Sequence, residues 1–255
     1  MRVAGVDGCK GGWVAVIVAP DGTTSARRLG SLAELFDAPS PPEMIAPDLV
    51  AIDMPIGLPE TVEAKGRAPE RLVRPLLGGR QSSVFSMPSR AAVYASVDPA
   101  VPEEARYRHA CAVARATSTP PRAVAKQAFH IFPKIIEIDT LLRARPALQA
   151  RLFECHPEVS FWALNGQVPL DVAKKVKNAP HAPGLALRRA LLEAAGFAPA
   201  ILSAATARAL KVGADDLIDA AAAAWTAGRL ARGAATSFPT PPERDALGLP
   251  IAIWA

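Results

Sequence analysis

Three runs open the chain, Arg2 to Asp7, Trp13 to Ala19 and Thr23 to Leu29, divided by the glycine-rich Gly8-Cys9-Lys10-Gly11-Gly12 and by the pair Asp21-Gly22. Apolar and β-prone runs punctuated by turn residues predict strands, and connections this short predict an antiparallel meander. Ser31, with Glu34 three residues on, has the form of a capping box and predicts a short helix ending before Pro39-Ser40-Pro41-Pro42. Leu49-Val50-Ala51-Ile52 is a continuous apolar run, as in a strand covered on both faces, and it terminates in Asp53-Met54-Pro55-Ile56-Gly57. A helix between two strands implies a parallel crossover, which puts this fourth strand in the direction of the first.

From Glu60 to Ala100 the periodicity dissolves into Gly, Pro, Arg and Ser, and a long loop is expected. Helical patterns follow over Pro102 to Ala116 and Ala125 to Arg145, the latter interrupted at Pro133. A short strand then runs from Ala150 to Glu154, ahead of His156-Pro157. Further helices are expected over Gly184 to Ala195, Ser203 to Leu210 and Ala214 to Arg232, with a terminal strand over Pro250 to Trp254. With no repeat and no separating linker, the pattern predicts a single domain over 1–255, carrying a loop-rich and helical insertion at about 60–148.

The positions of the carboxylates change this picture from fold to chemistry. Asp7 ends the first strand and Asp53 the fourth; in adjacent parallel strands their Cα atoms lie about 5 Å apart. Two carboxylates that close repel unless a cation lies between them or one holds a proton. Glu154 ends the Ala150 to Glu154 strand and is a third candidate at the same sheet edge, with Glu158 as its competitor. Asp215-Asp216-Leu217-Ile218-Asp219 opens the late helix, and Asp216 and Asp219, three apart, share a face. Acidic residues in a first helical turn are also favoured by the macrodipole with no ligand present. Lys10 in its glycine turn is either a phosphate contact or an exposed hairpin lysine, and Arg80-Gln81-Ser82-Ser83 after Gly78-Gly79 is either an ordinary surface loop or a site of close approach to an anion. Lys174, Lys175 and Lys177 form a basic cluster, either a nucleic-acid contact or a solvated face. Cys155 and His156, adjacent on an extended segment, point to opposite sides and do not share a metal.

Gly5-Val6-Asp7-Gly8-Cys9-Lys10-Gly11-Gly12-Trp13, Ile52-Asp53-Met54-Pro55-Ile56-Gly57-Leu58, Gly79-Arg80-Gln81-Ser82-Ser83-Val84-Phe85, Glu154-Cys155-His156-Pro157-Glu158 and Asp215-Asp216-Leu217-Ile218-Asp219-Ala220 together resemble the DUF429 family, described as predicted nucleases of RNase H fold. The resemblance spans nearly the whole chain. It implies an α/β RNase H-like mixed sheet, with a three-strand antiparallel meander followed by parallel strands and helices on both faces. It also implies two divalent ions, Mg²⁺ or Mn²⁺, held by Asp7, Asp53, Glu154, Asp216 and Asp219 for phosphodiester hydrolysis. In that scheme Lys10, Arg80, Gln81, Ser82 and Ser83 serve the substrate.

Composition narrows the alternatives. The net charge of +5 is a weak pull toward a polyanion such as nucleic acid. Cys9, Cys111 and Cys155 have no CxxC spacing, which argues against a disulfide framework or a cysteine zinc site. The opening Met1-Arg2-Val3-Ala4 lacks the apolar core of a secretory signal, so a cytoplasmic location is expected. Trp13 to Ala19 is far short of the roughly 20 residues that span a bilayer, so no membrane role is expected. An actin- or sugar-kinase-like phosphotransferase shares an Asp-Gly strand end but wants a second phosphate-binding Asp-x-Gly turn and a glycine-rich adenosine motif, neither of which occurs. A binding module with a structural acidic cluster is the other rival. No Gly-x-Ser-x-Gly elbow supports a serine hydrolase.

Overall fold

A computed structural model describes residues 1–37, 45–63, 65–176 and 179–255. The helix expected after Ser31 is a single 3-10 turn, Leu32–Leu35, with Glu34 accepting the Ser31 N–H at 2.9 Å; the Pro39 to Pro42 loop expected after it lies outside the described residues.

Strands β1 (Val3–Cys9), β2 (Gly12–Val18), β3 (Thr24–Leu29), β4 (Leu49–Ile52) and β5 (Leu152–Glu154) form one mixed sheet in the order β3-β2-β1-β4-β5. β1, β2 and β3 are antiparallel neighbours, while β4 and β5 run parallel to β1. The expected meander and crossover are therefore both present. The β1–β4 register pairs Val6 with Ile52, and the Asp53 N–H donates to the Val6 carbonyl at 2.9 Å. Asp7 and Asp53 are thus the next residues on two adjacent parallel strands.

Helices lie on both faces of the sheet. On one, α1 (Glu103–Ala116) and α2 (Phe132–Ala144) cover Ala4, Val6, Trp13 and Ile52. The break expected at Pro133 falls at Ile131, because Pro133 occupies the first turn of α2, where a missing N–H costs nothing. Trp13 buries its indole here, and its Nε1–H is satisfied by Glu137 of α2 at 3.0 Å. On the other face lies α3 (Ala214–Ala231), whose Ala220 to Ala224 run is wholly buried. Alanine is the best helix former and the smallest side chain that still excludes water, so this helix sits close against β1. Gly5 completes the fit: a Cβ there would lie 1.8 Å from the Ala224 backbone N.

The stretch from Glu60 to Ala100 is more ordered than its composition predicts, with helical turns at Ala68–Val73, Arg74–Ser83 and Arg90–Tyr94. Ser237–Arg244 is an unforeseen strand paired with Pro250–Trp254 and interrupted between Phe238 and Glu243. Among the described residues no helix is long and apolar enough to cross a membrane.

Candidate metal centre

Asp7, Asp53 and Asp219 converge: each offers a carboxylate oxygen, and these atoms all lie within 4.8 Å of one another. Each comes from a different element. Asp7 is fixed in β1 beneath Val14 of β2, and one of its oxygens accepts the Gly8 N–H at 2.6 Å. Asp53 follows the last residue of β4, and Asp219 is carried on the second turn of α3, buried against the sheet.

Burial, followed by the neighbouring charges, raises all three acids. Asp7 is held well above its ordinary value by burial and then by Asp53, Asp53 is pushed up to about 8 by burial and then by Asp219, and Asp219 to about 6 chiefly by burial. Crowded, desolvated carboxylates hold protons when no cation is present. One internal cation is at hand. The Lys174 ammonium is ion-paired with Asp219; burial works against its charge, and Asp219 together with Asp7 and Asp53 outweighs that and raises its pKa. Lys174 answers the charge of Asp219, while Asp7 and Asp53 lose their protons at neutral pH only if a further cation joins them. Moreover, Asp219 Oδ1 is buried with no hydrogen-bond partner among the described residues. An orphaned anionic oxygen in an all-oxygen cluster is a donor set that suits a hard divalent cation.

The other expected ligands are engaged elsewhere. Glu154 ends β5 as foreseen, but it receives Arg67 on both oxygens, at 2.6 and 3.0 Å, and the Ile56 N–H at 2.7 Å. Burial lifts its pKa to about 7 against the pull of Arg67. Its competitor Glu158 is held by Arg188 at 2.7 and 2.8 Å. Asp216 accepts the Gly213 N–H at 3.2 Å and lies outside the 4.8 Å cluster, though its charge still helps raise Asp7, while Asp215 pairs with Lys175 at 2.5 Å. The basic cluster is thus paired with carboxylates at Lys174, which is partly buried, and at Lys175, which is exposed; Lys177 lies outside the described residues.

Among the expected substrate groups, Lys10 is exposed, and Lys134 of α2 is the lysine at Asp7's side, bonded to the Gly12 carbonyl and 4.2 Å from the Trp13 ring centre. Ser83 borders a cavity shared with Asp7, Asp53, Lys134 and Glu154, whereas Gln81 and Ser82 line a separate groove. Arg80 is half-buried, its Nε without a hydrogen-bond partner among the described residues. Arg67 and Lys134 had no sequence signal at this site, since Glu154 and Asp7 lie far along the chain from them; the local partner of Arg67 is Glu70, three residues on. For Lys134 the one local hint is Glu137, three residues on and on the same helical face.

Cys155 is buried in the core and His156 starts the next helix, and both border the cavity beside Asp7 and Asp53. His156 Nδ1 accepts the Glu158 N–H at 3.2 Å, which places the ring proton on Nε2, 3.3 Å from the Ser83 carbonyl. Burial lowers its pKa to about 4. A base with a depressed folded pKa leaves the unfolded chain binding more protons, so stability falls as pH drops through 6.5 toward 4. His156→Asn keeps a capping side chain and is expected to remove up to about 3 kcal/mol of that acid loss, read by urea denaturation of both proteins at pH 7 and pH 4. Equal losses in the two proteins would show that His156 is not a buried neutral ring.

Over residues 5–244 the chain matches the model of a family described as a protein of unknown function, DUF429, and it belongs to that family. No curated protein and no solved structure matches it.

Proposed function

We propose that this protein is a divalent-metal-dependent phosphodiester hydrolase of RNase H-like fold, acting on nucleic acid. The observation that carries the reading is the convergence of Asp7, Asp53 and Asp219 around an unpartnered buried oxygen. The sheet order β3-β2-β1-β4-β5, with its single change from antiparallel to parallel at β1, supports the fold assignment.

Asp7, Asp53 and Asp219 would hold Mg²⁺ or Mn²⁺, and Glu154 and Asp216 fall outside this set. When bound, such a cation supplies Lewis acidity toward a phosphate oxygen and makes water more acidic. The chain's own contributions are positional. Gly8 N–H orients Asp7, the β1–β4 register sets Asp53 beside it, and the close approach of α3 delivers Asp219. Lys174 offsets part of the repulsion among the acids, and Asp53, raised to about 8, would give up its proton where a cation is held.

Calorimetric titration with Mn²⁺, without nucleotide, is expected to show binding accompanied by proton release, with heats that vary with the buffer. Asp219→Asn and Asp7→Asn are expected to weaken it at least tenfold and to abolish Mn²⁺-dependent cleavage while leaving the fold intact. Absence of heat until ATP is added would favour the kinase-like reading, because nucleotide phosphates then supply the coordination. Absence of heat under both conditions would leave a structural acidic cluster.

A further inference from the structure

Beside the carboxylates lies a cavity of about 190 Å³, bounded at one end by Asp7 and Asp53 and walled by Met54, Val84, Phe85 and Met87. A cavity of about 150 Å³ is enough to take up benzene, so this one, whose walls also carry Arg67, Lys134, Glu154 and His156, has room for a single flat ring with polar edges. Thioethers and an aromatic side chain are suited to the face of such a ring. On the far side of Val84 and Phe85 runs a groove of about 480 Å³ that those two residues also border. Its charged residues are Lys65, Arg71, Arg74 and Arg122, with no carboxylate among its walls. Arg74 is braced against the Val84 carbonyl at 3.1 Å, which fixes the wall between cavity and groove.

We infer that the substrate is a single-stranded nucleic acid, with one unpaired base in the cavity next to Asp7 and Asp53 and the adjoining backbone along the Lys65, Arg71, Arg74 and Arg122 groove. A cationic track leading to an aromatic-walled recess is how strands are bound without reading sequence. A duplex fits poorly, because a paired and stacked base shows only its edges and enters a recess only when flipped out. The cavity therefore selects against duplex, and the groove supplies the affinity. The inference builds on the hydrolase reading in placing the base beside the metal ligands, but binding of the strand does not require that a metal be bound.

Fluorescence anisotropy with a labelled twelve-residue oligothymidine, in EDTA and again in Ca²⁺, tests it. The single strand is expected to bind at least about tenfold tighter than the blunt duplex with oligodeoxyadenosine, and an abasic strand of equal length about tenfold weaker, as loss of one stacked base implies. Lys65 and Arg122 are exposed, and their side chains have no hydrogen bond or ion pair among the described residues. Changing both to Gln is expected to leave folding and Mn²⁺ heats unchanged and to flatten the salt dependence by about 1.4 in log–log slope, at about 0.7 per lost phosphate contact. Duplex or abasic strand binding as tightly as oligothymidine in both conditions, or an unchanged salt slope, would overturn the inference. Mn²⁺ heats with no strand binding would defeat this proposal alone. Strand binding with no Mn²⁺ heats would defeat the hydrolase reading and leave this one standing.

Discussion

Gly5→Ala is expected to destabilise the protein by about 3 kcal/mol or more, an effect out of proportion to the one methyl group added. The new Cβ would lie 1.8 Å from the Ala224 nitrogen, 2.1 Å from the Ala220 carbonyl oxygen and 2.4 Å from the Ala223 carbonyl carbon. All three are backbone atoms of α3, so no side-chain rotation relieves the clash. Either the helix moves off the sheet, uncovering the alanine stripe, or β1 gives way in the centre of the sheet. The same displacement carries Asp219 away from Asp7, so whatever variant remains folded should also bind Mn²⁺ more weakly. Gly79→Ala is the matched control, since a Cβ there meets nothing within 4 Å. Guanidinium denaturation of the two variants reads the difference directly. A Gly5→Ala protein as stable as the parent would mean that α3 does not pack so closely, and that Asp219 does not reach the other two carboxylates.

The features that could be read from the chain are those with a short-range cause. Strand spacing and one crossover suffice to put Asp7 beside Asp53, because register in a parallel pair repeats residue by residue. Of Asp216 and Asp219, expected as a pair on one helix face, Asp219 is the one whose carboxylate lies within 4.8 Å of those of Asp7 and Asp53. Asp216 stands at the third helical position, where the unsatisfied Gly213 N–H competes for its carboxylate, and only Asp219, one turn deeper, is free to face the sheet. Glu154 stands at the strand end its sequence position predicts, and its carboxylate accepts from Arg67 and Ile56. Arg67 comes from a stretch without hydrophobic period, and nothing local reveals that its guanidinium returns to β5. The Ser237–Arg244 strand was obscured by Pro239, Pro241 and Pro242, residues that remove ladder donors and read as loop. Its pairing survives because the register breaks between Phe238 and Glu243, the span that contains those prolines.

Arg67→Met is expected to cost about 3 to 5 kcal/mol, the range for removing one partner of a buried ion pair. Arg67 is 4% exposed, and its guanidinium donates to Glu70 at 2.6 Å, to both oxygens of Glu154, and to the Ile56 and Gly57 carbonyls at 2.7 and 3.0 Å. Methionine fills similar volume but removes the guanidinium donors from two carboxylates and two carbonyls, leaving Glu154 only the Ile56 N–H and Glu70 only the backbone N–H of residue 67 among the described residues. The loss should depend on pH in a definite direction. Glu154 in the parent is already raised to about 7, so its native state binds more protons than the unfolded chain between about 4.5 and 7, and stability falls across that window as pH rises. Without Arg67 the carboxyl is raised further and the window extends upward, so the gap between variant and parent should widen from pH 5 to pH 8. Urea midpoints at the two values measure it, and a gap that is constant or narrows with pH would show that Glu154 is not the group left stranded. The same network separates positioning from ligation. The Glu154 carboxylate holds the Ile56 N–H and so fixes the turn that follows Asp53. Glu154→Gln keeps an acceptor for that N–H and is expected to retain Mn²⁺ binding within a few-fold, where Asp219→Asn loses it. If Glu154→Gln instead abolishes the Mn²⁺ heat while the protein stays folded, Glu154 is a ligand and the centre is larger than the three aspartates.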